Sequence, residues 1–80
     1  MRDWELRKSM LDAMDAIADD IVIAEAMANE LAHAAAALSD QTGFKAIREA
    51  ALRWRVKAIK LRGQLAAHRE QYEARFPPEA

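Results

Sequence analysis

At 80 residues, with 52% hydrophobic and 31% charged side chains, the chain is long enough for one domain and too evenly charged for a membrane protein. Two glycines, two prolines and no cysteine exclude a turn-rich β fold, a disulfide framework and a thiolate metal site. The net charge of −1 excludes the strongly basic balance usual in a dedicated nucleic-acid binder.

The first residues, Met-Arg-Asp-Trp-Glu, have no apolar run behind their positive charge, so a secretory signal is not expected. A first helix is predicted from about Asp3, acting as N-cap, to about Leu38. Within it Met10, Met14, Ile17, Ile21, Ala24, Ala28, Leu31, Ala35 and Leu38 recur at alternating steps of four and three, the spacing that keeps one stripe of a helix turned to a partner helix. Its most apolar stretch, Ile21 to Leu38, is broken by Glu25, Asn29, Glu30 and His33, whereas a membrane span needs about twenty mainly apolar residues. A soluble protein is expected, and a cysteine-free chain fits the reducing cytoplasm.

Residues 39–43, Ser-Asp-Gln-Thr-Gly, form the predicted turn, with Asp40 or Thr42 as cap of the next helix and Gly43 supplying backbone freedom. A second helix is predicted from about Phe44 to Arg75, followed by a short tail, because Pro77 disfavours helical geometry at Phe76. Here Phe44, Ile47, Ala51, Trp54, Ala58, Leu61, Leu65, His68 and Tyr72 form the matching seam. The predicted fold is all-α: one domain, a long antiparallel helical hairpin.

Two helices of about fifty ångströms each bury little against one another, so self-association into a four-helix bundle, as a dimer or a higher oligomer, is expected. Met14, Ile17, Ile21, Leu31, Trp54, Leu61 and Leu65 are the expected core of that assembly. The apolar face of the first helix spreads onto Leu6, Leu11, Ala13, Ala18, Met27, Ala32 and Ala34, and Val22 and Ile23 fall on its far side, a second contact surface in prospect. The seam alanines allow close approach, with Leu31, Trp54 and Leu61 filling the layers between them.

Charge is segregated. From Asp12 to Glu30 there are six acids and no Lys or Arg, a charge of −6; from Lys45 to Arg62 there are seven bases and one acid, a charge of +6. Arg48, Arg55, Arg62 and Arg69 stand seven residues apart on one edge of the seam. Such a row could track the phosphates of a nucleic acid or nucleotide. The acidity of the facing helix argues instead that these arginines pair with carboxylates, of this chain or a neighbour, and cover the seam with their stems.

Other chemistry is thinner. Glu30-Leu31-Ala32-His33 is a Glu-x-x-His step of the kind found in di-iron bundles, with Glu49 at a matching height across the turn. Glu30 and His33 nevertheless take outer heptad positions where ligands should point inward, so solvated side chains are expected and no metal or other cofactor is assigned. His68 lacks a nucleophile or acid partner on its own face and is read as a polar layer of the seam. Phe44, Trp54 and Tyr72 are seam aromatics and so core rather than base-stacking groups, while Trp4 and Phe76 are expected to clasp the termini.

Glu5-Leu6-Arg7 with Ile17 has a passing likeness to the first helix of helical chorismate mutases. That family needs further buried cations in the same helix, and residues 13–38 carry no Lys or Arg. All-α nucleotide pyrophosphohydrolases place paired acids on two consecutive helices, which the middle of the second helix lacks. No phosphate loop, nucleophile elbow or zinc spacing occurs. A non-enzymatic protein–protein interaction module is therefore expected, an adaptor, regulator or inhibitor acting as a homo-oligomer, with a nucleic-acid-binding dimer as the alternative. In shape alone it is similar to the small hairpin dimers among accessory proteins of plasmids and phages.

Overall fold

The structure is a computed structural model that describes residues 2–78. Helix α1 runs Asp3–Ala37 and helix α2 runs Phe44–Arg75, and the two pack antiparallel as the predicted hairpin. Of the predicted tail beyond Arg75, residues 79 and 80 lie outside the described residues.

Both helices form because alanine and unbranched side chains dominate them and neither proline falls inside. The ends differ from the predicted caps. Asp3 is the first helical residue and Arg2 the N-cap, with no side-chain cap bond; Asp3 instead lends its charge to the positive end of the helix dipole. At the turn neither Asp40 nor Thr42 caps α2. The N-cap is Gly43 at φ 95°, left-handed backbone that favours glycine, and its carbonyl accepts the first helical bond from the Ile47 amide at 3.1 Å. With the backbone turned that way, neither predicted side chain is used. Proline acts as expected at the far end: Phe76 leaves the helix at φ −129° and ψ 74°.

Every residue of the two predicted seams is buried or half-buried. Ile21, Ala24, Ala28, Ala35, Ala51, Ala58 and Leu65 form the buried core of the described residues. Met14, Ile17, Leu31, Trp54 and Leu61 are half-buried beside them. Alanine brings the helices close but removes little surface per residue. The molecule measures 58 × 20 × 16 Å with a radius of gyration of 17.9 Å, against about 12 Å for a compact chain of this length. Its accessible surface of 6183 Å² exceeds by roughly 1,300 Å² the value of about 4,850 Å² typical of a compact monomer of 9.0 kDa.

The packing yields a paired test of register. Ile21→Asp puts an unpaired charge in the centre of the seam, at a cost of several kcal/mol, and should abolish the cooperative melt followed by circular dichroism. Asp12→Ala, on an exposed face, should move the melting temperature by no more than about 3 °C. Equal effects would mean that another face is buried.

Candidate functional site

Three sets of side chains could carry function: the arginine row, the possible ligands near the turn, and the apolar residues that the hairpin leaves uncovered.

The arginine row lies along one flank of the seam, as its spacing requires, and opposite the corresponding flank of α1. Arg62 donates through both Nε, at 2.9 Å, and Nη2 to Glu25 Oε1. Arg55 Nη2 donates to Asn29 Oδ1 at 3.0 Å, a neutral acceptor where an acid was expected. Arg48 and Arg69 have no carboxylate within 4 Å among the described residues. The intramolecular pairing is thus partial. Asp15, Asp19, Asp20 and Glu30 on α1, and Arg53, Lys57 and Lys60 on α2, are likewise outside any ion pair among the described residues. Lys57 instead sits over the Trp54 ring, 5.0 Å from its centroid. Lys8 has its pKa raised from the ordinary 10.5 by the hydrogen bond and then the charge of Asp12, a pair within one turn of α1 and remote from the row.

Glu30, His33 and Glu49 are all exposed, and no group of three acidic or histidine side chains among the described residues is placed to hold a metal ion. The outer heptad positions of Glu30 and His33 put both on the side of α1 turned from α2. His68 is half-buried in the seam as read. The termini are joined by polar contacts rather than by Trp4 and Phe76. Arg75 bonds Asp3 at 3.0 Å and Arg7 donates to the Tyr72 hydroxyl at 2.9 Å, while Phe76 packs on Tyr72 and Trp4 is 62% exposed.

The uncovered apolar surface is distributed differently from the expectation. Leu6, Ala13, Ala18, Met27 and Ala34, beside the seam of α1, are half-buried within the hairpin itself; Leu11 and Ala32 are exposed. The larger exposures lie on the outer edges. Val22 is 68% and Ile23 56% exposed on α1, as their far-side positions imply, and Leu52, Val56 and Ile59 are 57%, 49% and 62% exposed on α2. Sequence reading missed these last three. Their signal was present, since steps of four and three place them on one helical stripe outside the seam, with Leu52 at its margin bordering Ala32, Ala35 and Ala36 of α1. With Arg53, Lys57 and Lys60, Leu52 and Val56 line a shallow depression of about 420 Å³.

No helix among the described residues is long and apolar enough to cross a membrane. Comparison of the chain with protein-family models, curated proteins and solved structures gives no match.

If the arginine row serves packing, exchanging both Arg55 and Arg62 for Gln should lower the unfolding free energy by about 0.5–1.5 kcal/mol together. Filter binding to duplex DNA or hairpin RNA should show weak retention before and after. Tight, salt-sensitive binding that the double variant loses, with unchanged melting, would assign the row to phosphates instead.

Proposed function

We propose that this protein is a small non-enzymatic interaction module that works as a homo-oligomer, with the four-helix bundle of two hairpins as its smallest form and a higher oligomer as the alternative. In this reading it is an adaptor, regulator or inhibitor of another protein, and the reducing cytoplasm is the setting that suits it. The observation that carries the proposal is the excess of exposed surface. A standard interface removes about 800 Å² from each partner, so one or two contacts per copy would bring the hairpin to the exposure of an ordinary folded chain. The uncovered large apolar residues are aliphatic apart from Trp4, and their transfer from water favours association at about 25 cal/mol per Å² of apolar area.

The alternative, a nucleic-acid-binding dimer, draws support from Arg48 and Arg69, which lack an acidic partner among the described residues. It is weaker because the two central arginines are held by Glu25 and Asn29 and because an acidic edge runs beside the row. Gel filtration coupled to light scattering tests the proposal. The expected mass is at least twice 9.0 kDa at micromolar concentration, whereas a 9.0 kDa species at every concentration would refute it.

A further inference from the structure

The two outer edges of the hairpin are complementary to each other. The edge of α1 presents Val22 and Ile23 beside Asp19 and Glu30, all exposed and, for the acids, without an ion-pair partner among the described residues. The edge of α2 presents Leu52, Val56 and Ile59 among Arg53 and Lys60; Leu52 and Val56 line the shallow depression with these cations and Lys57, and Ile59 stands beside it. Each is an apolar stripe rimmed mainly by one sign of charge, Glu49 being the one acid beside the α2 stripe. The signs are opposite, so two acidic edges repel, two basic edges repel, and the acidic edge fits the basic one.

Height is matched by a shift along the rod. The bonds of Glu25 to Arg62 and of Asn29 to Arg55 fix the register of the two helices. They set Val22 and Ile23 about one helical turn from the level of Ile59 and about 10 and 16 Å from the levels of Val56 and Leu52. A second copy moved sideways and about 10 Å along the rod, without turning over, brings its α1 antiparallel to the first copy's α2 with the stripes facing. The directions are those of the seam within the hairpin, so helix dipoles are again opposed favourably.

We propose that the outer edge of α2 is a docking groove for the acidic outer edge of α1 from a second copy of this chain. The proposal rests on the self-association reading in its higher-oligomer form and assigns the surfaces of that form. Because the two edges point away from one another, the contact is head-to-tail, and each copy uses one edge of each kind. Such a contact cannot close at two copies. It builds a ring of three or more hairpins, or an open array. Two edges of about 650 Å² each would account for the roughly 1,300 Å² of excess surface.

Variants with one dead edge test this directly. Ile59→Glu places an acid in the basic groove, and Ile23→Lys places a base on the acidic edge; both positions are more than half exposed, so the hairpin should fold, as helical circular dichroism would verify. The unaltered chain should run as an assembly larger than two copies, each variant alone as a 9.0 kDa monomer, and an equimolar mixture as a heterodimer of twice that mass. If Ile59→Glu loses helix content, Lys57→Glu with Lys60→Glu blocks the same groove at exposed positions. An unaltered chain that stops at two copies, or variants that assemble as it does, would overturn the edge contact and leave self-association standing. A monomeric unaltered chain would overturn both.

Discussion

The seam between α1 and α2 is built on alanine, and most features of the molecule follow from that. Ala24, Ala28, Ala35, Ala51 and Ala58 let two long helices lie side by side along their whole length. The same residues remove few methyl groups from water, and among the described residues only Ile21 and Leu65 of the larger side chains become buried. A close seam with a thin core leaves a rod, and a rod keeps a high ratio of surface to volume. The constraint is geometric: no choice of side chains on the facing stripes of two helices encloses a third dimension.

Charge gives the rod polarity across its width. One edge is acidic and the other basic, yet only Arg62 with Glu25 joins the acidic segment of α1 to the basic segment of α2 by an ion pair among the described residues. The remaining charges are exposed, where each intramolecular pair is worth little, and they are free to steer an approaching copy or partner. Seam burial sets the shape; in the proposed assembly the apolar edges supply the drive to associate and the sign of each edge limits which edges meet.

Much of the fold was legible because a heptad seam is a long, redundant signal. Eighteen seam positions, from Met10 to Tyr72, agree on one period and one turn, so a single ambiguous residue cannot displace the reading. Caps are short signals, and they were misread. Asp3, Asp40 and Thr42 are all chemically able to cap, but the choice among neighbours is made by backbone angles, and the left-handed Gly43 placed the start of α2 without them. Trp4 illustrates a further limit: an aromatic near a terminus looks like a clasp, while the contacts that form are the polar ones of Arg75 and Arg7. Leu52, Val56 and Ile59 stayed hidden for another reason. Their stripe has meaning only once the seam has been assigned to another side of the same helix. The partner protein is not written in these residues, since complementarity of charge and apolar area specifies a kind of surface rather than one molecule.

If the hairpin completes its burial only by association, folding and assembly are one equilibrium, and the concentration dependence of unfolding tests that most directly. Urea titrations followed by circular dichroism over a hundredfold range of protein concentration should show the midpoint rising by roughly 0.5–1 M for each tenfold increase. A midpoint that stays fixed across the whole range would show that the alanine seam alone sustains the folded chain, and would contradict the account.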